Sequence, residues 1–181
     1  MKGTGAGVAV AFETFARHTF VLLEAARVYH QVWQDANRRY VDAVAILDRH
    51  AAFPGFYGLL ARDTDTGQAV GIAYGHRTRR GQWWHDRVEP VLPPEHAAWL
   101  DDCFVIVELA VLPAHRRRGI GRALLAHLLH GRAEARAVIS VQADNQPARA
   151  LYAALGWQAI AGPMRFVPTG APYVILGCTL R

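Results

Sequence analysis

Apolar and polar positions follow two periods along the chain, and together they predict an ordered series of strands and helices. Residues 8–15 alternate loosely, as in a first strand, and apolar residues then recur at helical spacing over 19–34. Residues 35–37 interrupt this pattern before a second predicted helix over 38–52. The pair Pro54-Gly55 ends that helix.

The middle of the chain predicts a hairpin, an irregular segment and a buried strand. Stretches 56–62 and 68–76 flank a turn rich in aspartate and glycine, which favours an antiparallel hairpin. Residues 78–102 are polar, aromatic and proline-bearing, so we expect an irregular excursion with a short helix near 95–100. Residues 103–111 are nearly all apolar, as in a central strand covered on both faces.

The last third of the chain predicts two more helices among further strands. The pattern indicates a helix over 121–131, then strands over 137–142, 157–160 and 173–180. Between the first two of these strands, Asp144 or Asn145 caps a helix that has Pro147 in its first turn and Gly156 beyond its end. The order β-α-α-β-β-β-α-β-α-β-β predicts an α/β fold, with a mixed sheet of about six to seven strands flanked by helices on both faces.

Size and composition favour one folded domain. A chain of 181 residues is large enough for a core, so we expect a single domain over 1–181, with 1–7 as a flexible lead-in. A hydrophobic fraction of 52% with 19% charged residues excludes an intrinsically disordered chain. We find no apolar run that would span a bilayer and no signal peptide, so we expect no membrane partner.

The two cysteines indicate a reducing compartment. Cys103 and Cys178 both lie in apolar, strand-like runs and are predicted to be buried thiols of a cytoplasmic protein. Neither has metal-ligand spacing, so we predict no metal. The net charge of +5 favours an anionic partner, either nucleic acid or a phosphorylated cofactor.

Residues 107–125 carry the most informative chemistry of the sequence. They run from a buried strand into a short basic loop, a pair of glycines and a helix. Free N–H groups at a helix start, with arginines beside them, form a site for an anion. Glu108 is the lone charge in the preceding strand, where an unpartnered carboxylate is costly to bury. The first hypothesis is therefore a phosphate-bearing cofactor whose reactive end lies near Glu108.

Two motifs resemble those of the GNAT superfamily of acyl-CoA-dependent N-acetyltransferases. Arg116-Arg117-Arg118-Gly119-Ile120-Gly121 fits the family signature Q/R-x-x-G-x-G/A, and Glu108-Leu109-Ala110-Val111 fits its fourth strand. Downstream, residues 145–157 look like the family element N-x-x-A-x-x-x-Y-x-x-x-G-F/W. Because both motifs stand in the expected strand–helix context, the resemblance implies the GNAT fold, with acetyl-CoA as co-substrate.

The resemblance also implies which residues hold acetyl-CoA. The loop and helix start would wrap the pyrophosphate, and the strand backbone would bind the pantetheine arm. The implied set is Leu109, Ala110, Val111, Arg116, Arg117, Arg118, Gly119, Ile120, Gly121, Arg122, Asn145 and Tyr152. Taken alone, the arginines fit a solvated surface run equally well, and Asn145 already has a structural role as a helix cap.

Two residues are candidates for catalysis. Glu108 is either a general base for the attacking amine or a group that positions the substrate or a neighbouring backbone. The helical spacing of Tyr152 alone favours a core tyrosine. The resemblance implies instead that its hydroxyl faces the cofactor sulfur and protonates the departing thiolate. A backbone N–H in the strand near Leu109–Val111 would hold the oxyanion.

The acceptor pocket is predicted at two aromatic segments. By resemblance, the junction at 29–35 and the segment 82–87 shape that pocket. The candidate acceptor-binding residues are Tyr29, Trp33, Trp83, Trp84 and His85. Asp35, Asp86 or Glu89 would attract the cation of an amine. Alternatively, the tryptophans pack an extended loop onto the sheet.

The sequence thus predicts an N-acetyltransferase that acts on a primary amine of a small molecule or peptide. An acetyltransferase acting on a protein N-terminus or aminoacyl-tRNA is one alternative. A nucleic-acid-binding module is a weaker one, because leucines at 124, 125, 128 and 129 leave the helix little polar surface to read bases. A homodimer through the C-terminal strands is compatible with the sequence, and the composition does not decide it.

Overall fold

The computed structural model describes residues 9–33 and 39–180. The strands are β1 Val10–Phe15, β2 Tyr57–Asp63, β3 Ala69–Arg77, β4 Cys103–Val111, β5 Arg136–Gln142, β6 Gln158–Met164 and β7 Tyr173–Thr179. The helices are α1 Phe20–Trp33, α2 Tyr40–His50, α3 His85–Val88, α4 Ile120–Leu129 and α5 Gln146–Ala154. No helix in these two ranges is both long and apolar enough to cross a membrane.

The seven strands form one mixed sheet. Their order is β1-β2-β3-β4-β5-β7-β6. β4 and β5 are parallel, whereas β1 with β2, β2 with β3, β5 with β7 and β6 with β7 are antiparallel. The predicted class, an α/β fold with a mixed sheet of six to seven strands, is confirmed.

Most predicted elements occur within a few residues of their expected bounds. The segment 78–102 is more ordered than expected, because α3 and the 3₁₀ turns Glu89–Val91 and Pro94–Leu100 follow one another within it. β6 extends to Met164, beyond the four residues predicted for it. The predicted helix break at 35–37 lies outside the described residues.

The chain divides into two compact units, and the first comprises residues 1–75 and 108–130. Its core contains the inward faces of α1 and α2, including Leu22, Ala25 and Leu47. Apolar residues at helical spacing produce these faces, because positions three and four apart lie on one side of a helix. This unit holds Glu108 and the basic loop, which contains Arg116, Arg117 and Arg118.

The second unit comprises residues 76–107 and 131–181. Its core is built by strand residues such as Val105, Val138 and Ile175, with Val88 and Leu100 from the segment between β3 and β4. That segment is therefore part of the fold of this unit. This unit also holds Asn145, Tyr152 and the candidate residues between 83 and 85.

Candidate active site

Glu108 lies on β4 as a buried carboxylate with two hydrogen-bond donors. The indole Nε1 of Trp33, the last residue of α1, donates to its Oε2 at 3.0 Å. The N–H of Leu109 donates to its Oε1 at 3.2 Å. Glu108 is only 9% exposed, and burial raises its pKa to about 7, against the lowering effect of these two donors. A carboxyl group with such a pKa exchanges protons near neutral pH.

The phenol of Tyr74 is coupled electrostatically to the same carboxylate. Tyr74 on β3 is buried, and burial raises the pKa of its hydroxyl. The charge of Glu108 and that of Tyr29 on α1 raise the pKa of Tyr74 further. The Tyr74 hydroxyl lies 3.1 Å from Nδ1 of His50 on α2. Glu108 thus belongs to a polar cluster built from α1, α2, β3 and β4.

The backbone after Glu108 is only partly used by the sheet. The parallel pairing of β4 with β5 covers Cys103–Ile106, and the residues from Glu108 onward lie beyond it. Leu112 donates to the Val70 carbonyl on β3. Because N–H directions alternate along a strand, the N–H of Val111 points away from β3. That N–H is the better candidate for a ligand, since the N–H of Leu109 already donates to Glu108.

The basic loop is held in a shape suited to an anion. Nε of Arg116 donates to the Val111 carbonyl at 3.0 Å, which ties the loop to the end of β4. Arg117 and Gly119 both have positive φ, 62° and 82°, and Gly119 is the N-cap of α4. Left-handed residues are a component of the turns whose backbone N–H groups bind anions. A Cβ on Gly119 would meet no atom within 4 Å, so space is open above it.

Asn145 and Tyr152 both belong to α5 in the second unit. The side chain of Asn145 accepts from the Ala148 N–H at 3.1 Å, so Asn145 and not Asp144 is the N-cap. Tyr152 is 2% exposed, and its ring meets that of Trp157 edge-on, with centroids 5.0 Å apart. The structural role predicted for Asn145 is confirmed. The contacts of both residues with acetyl-CoA stay predictions.

The three candidate residues between 83 and 85 have different surroundings. Trp84 packs against the core of the second unit and donates from Nε1 to Oγ of Ser140 at 2.7 Å, in line with the packing alternative. His85 is buried. Trp83 is 54% exposed, with Phe166 stacked on it at 5.3 Å and the Arg87 guanidinium 4.3 Å from its centroid.

The carboxylates predicted to attract a cation near this segment already have partners. Asp86 accepts from the Gly81 N–H at 2.9 Å, and Glu89 pairs with Arg80 at 2.7 Å. Asp35 lies outside the described residues. Across the described ranges, no three histidine, cysteine or acidic side chains gather as metal ligands would.

The cysteines are poor candidates for a nucleophile. Both are free thiols; Cys103 is fully buried and Cys178 is partly exposed. Burial raises the pKa of Cys178 to about 11 and that of Cys103 further still. Since the thiolate is the reactive form, neither side chain is activated near neutral pH.

Comparison with known proteins identifies the family. The profile of the Acetyltransferase (GNAT) family matches residues 20–157. The chain belongs to the GNAT acetyltransferase family. A GCN5-like protein acetyltransferase of Mycobacterium tuberculosis is 31% identical over 131 residues, which are 66% of this chain and 63% of that protein. The chain therefore spans less than two thirds of the length of this curated relative.

Solved GNAT structures share the fold. A GNAT-family protein of Desulfovibrio desulfuricans matches with a TM-score of 0.69 at 20% identity, over 96% of this chain and 100% of the other. A Salmonella typhimurium protein, solved with its cofactor acetyl-CoA, matches with a TM-score of 0.66 at 17% identity, over 94% of this chain and 95% of the other. The expected resemblance to the GNAT family is confirmed, and its members use acetyl-CoA.

The residues of this GNAT chain suit a phosphorylated thioester in the first unit. The open space above Gly119, the helix start and the arginines of the loop are the features that a pyrophosphate requires. Arginine also offers donors in a fixed fork that matches phosphate oxygens. Four arginines lie between residues 116 and 122.

Sequence reasoning missed the partners of Glu108. Trp33 was predicted only as an acceptor-binding residue, and Tyr74 and His50 were not singled out. Their signal is absent from local patterns, because Trp33 and Glu108 are 75 residues apart and meet through the packing of α1 against the sheet. A lone carboxylate in an apolar strand was nonetheless a sufficient reason to expect some buried donor.

Proposed function

We propose that this protein transfers the acetyl group of acetyl-CoA to a primary amine of a small molecule or peptide, by direct attack in a ternary complex. The observation that carries the proposal is Glu108, a buried carboxylate within β4 whose pKa is raised to about 7. Family membership supplies the reaction class, and this side chain supplies a group able to take the proton of an ammonium.

Glu108 acts as the general base in this proposal. An amine arrives protonated at neutral pH and attacks only after it loses a proton. Glu108 accepts that proton, and the N–H groups of Trp33 and Leu109 keep its two oxygens in place. Acetyl-CoA, when bound, supplies an activated acyl group as a thioester. The new C–N bond then replaces the C–S bond.

Tyr152 acts as the general acid, and backbone groups orient the acyl donor. The Tyr152 hydroxyl gives its proton to the departing sulfur, as the family motif implies. The Val111 N–H binds the pantetheine arm or the carbonyl oxygen, together with the strand backbone from Leu109. The N–H groups of Ile120 to Arg122 and the loop arginines bind the pyrophosphate. Asn145 contacts the pantetheine in addition to its capping role.

Direct transfer is supported by the state of the cysteines. Both thiols have raised pKa values, so an acetyl-enzyme on sulfur would start from an unactivated nucleophile. The free thiols also support the proposed location in the cytoplasm. We propose that the whole chain acts as one acetyltransferase domain, since the family match includes residues of both units.

A protein acceptor is the second candidate. It is favoured by the relative from Mycobacterium tuberculosis, which is named as a protein acetyltransferase. The reading as a nucleic-acid-binding module is disfavoured, because Ile120, Leu124, Leu125 and Leu128 of α4 are buried. A recognition helix needs exposed polar side chains to contact base edges.

Two measurements test the proposal. Calorimetry with acetyl-CoA and with duplex DNA at two salt concentrations should show acetyl-CoA binding that moderate salt leaves intact. A thiol-release assay over a panel of small amines and peptides should then identify an acceptor, and Glu108→Gln and Tyr152→Phe should both slow its turnover. Absence of acetyl-CoA binding would overturn the function, and full rates in both variants would overturn the assigned roles.

A further inference from the structure

We propose that Trp33 is a positioning residue for Glu108 and that its ring selects the acceptor, favouring primary amines that carry an apolar or aromatic group. The inference rests on the proposed acetyltransferase function. It assigns two separable roles to one side chain: the indole N–H acts on the carboxylate, and the ring surface acts on the substrate.

The positioning role follows from the hydrogen bonds of the carboxylate. Trp33 Nε1 lies 3.0 Å from Oε2, and the Leu109 N–H lies 3.2 Å from Oε1. Each oxygen therefore has its own donor, and the two together restrict rotation of the carboxylate. An indole N–H can only donate, so this contact is stronger when Glu108 is ionised and ready to accept a proton.

The selecting role follows from exposure. Trp33 is 46% exposed although its N–H reaches a carboxylate that is only 9% exposed. The free surface of this ring therefore lies beside the group that must receive the proton of the amine. An ammonium near Glu108 is attracted to the electron-rich face of an indole, and an apolar group attached to it covers the ring. Both contacts select for amines with such a substituent.

Among the described residues, the ionisable groups linked to Glu108 come from α1, α2 and β3. From β3, Tyr74 faces it as a neutral phenol that is hydrogen-bonded to His50 of α2. Tyr29 of α1 and Arg49 of α2 act on Tyr74 electrostatically. Trp33 is the neighbour in this cluster that combines a bond to the carboxylate with a largely exposed ring.

Substitutions at position 33 separate the two roles. Trp33→Phe removes the N–H and keeps an aromatic ring. We expect turnover to fall on the order of tenfold, with the acceptor KM nearly unchanged and the acidic limb of the pH–rate profile shifted to higher pH. Trp33→Leu removes the aromatic ring as well. Its KM should rise by a further few-fold for aromatic amines and by less for methylamine. Tyr40→Phe is the control, because it breaks the bond between the Tyr40 hydroxyl and the Leu23 carbonyl, in which neither Glu108 nor Trp33 takes part.

A second readout does not depend on turnover. Protonation of Glu108 changes the acceptor of the indole N–H, so the tryptophan fluorescence of the wild type should show a transition near pH 7. That transition should disappear in Trp33→Phe and in Glu108→Gln, and persist in Tyr40→Phe. If it is present while no amine is acetylated, the proposed function fails and the positioning role stands. If Trp33→Phe leaves both the fluorescence transition and the pH–rate profile unchanged, the positioning role is wrong. Equal KM changes for aromatic amines and methylamine would overturn the selecting role.

Discussion

Nη2 of Arg62 on β2 lies 2.8 Å from Oε2 of Glu24 on α1. The same guanidinium holds Glu13 on β1, with Nε 2.7 Å from Oε1, and donates to the Gly67 carbonyl in the turn after β2. One side chain thus joins two strands, a helix and a turn of the first unit. The hydrogen bonds from Arg62 hold the pKa of Glu13 below its usual range.

Replacing Arg62 should destabilise the protein. Arg62→Ala leaves two carboxylates facing each other beside the sheet, and we expect a loss of about 1–3 kcal/mol, between the values for exposed and buried ion pairs. Because the pKa of Glu13 is lowered in the folded protein, the ionised carboxylate stabilises the fold above the ordinary pKa of glutamate. This stabilisation is lost as the pH falls through the lowered pKa of the folded protein. The difference between variant and wild type should therefore shrink in acid. Urea unfolding at two pH values measures it.

Arg17→Ala is the matched control for Arg62→Ala. Arg17 also pairs with a carboxylate, Asp48, at 2.8 Å, but it is 45% exposed and pairs with no second acid within the described residues. Its loss should change the unfolding midpoint far less. Equal effects of the two substitutions would show that the network around Arg62 adds nothing beyond a surface ion pair.

Glu108 should weaken the fold at the pH where it serves catalysis. Its pKa is raised from 4.5 to about 7, so its contribution to stability is full below pH 4.5 and is lost as pH rises to about 7. A shift of this size corresponds to roughly 3 kcal/mol. Glu108→Gln should therefore gain stability relative to the wild type between pH 5 and pH 8. Denaturant titrations at both pH values check this, and a constant difference would contradict it.

Replacing Gly119 by alanine should weaken acetyl-CoA binding in addition to destabilising the fold. An alanine there must adopt φ near 82°, at a cost of about 1–2 kcal/mol in stability. Its methyl group also stands in the open space above the helix start, and we expect acetyl-CoA to bind at least about tenfold more weakly, a change of roughly 1.4 kcal/mol. Calorimetry measures the change.

Gly81 offers the control for Gly119. It has φ of 86° and equally open surroundings, but it belongs to the segment after β3 and not to the basic loop. Gly81→Ala should cost similar stability and leave acetyl-CoA binding intact. Equal weakening of binding by both substitutions would place the pyrophosphate elsewhere.

Native protein thiols should be silent in a thiol-release assay. Burial raises the pKa values of Cys103 and Cys178, so a disulfide reagent at pH 7.5 should label neither on the timescale of turnover. Both should react after unfolding in guanidinium. Rapid labelling of Cys178 in the native protein would show that its strand opens, and would reopen the question of an acyl-cysteine.

Local sequence predicted the regular elements well where a single feature decides them. The run 103–111, apolar except for Glu108, predicts a strand, and β4 occupies Cys103–Val111. The sequence predicts either Asp144 or Asn145 as the cap of α5, because both residue types cap helices equally well. Only the hydrogen bond from Ala148 distinguishes them.

The site was predicted less completely than the fold, since its parts meet through tertiary packing. Glu108 was expected to be exceptional because a charge in an apolar strand requires a partner. The identity of that partner, Trp33, depends on how α1 lies on the sheet, which no local pattern encodes. The resemblance implies that Trp84 lines the acceptor pocket, and the structure adds that its indole N–H donates to Ser140 within the second unit.

The cap at Asn145 has a consequence for how this protein can evolve. It fixes the first residue of α5, and Tyr152 follows seven residues later, roughly 10 Å along the helix axis at 1.5 Å per residue. Substitutions between them leave that spacing unchanged, whereas a single inserted or deleted residue would rotate the phenol by about 100° around the helix. Lineages of this chain should therefore vary in composition between Asn145 and Tyr152 but not in length.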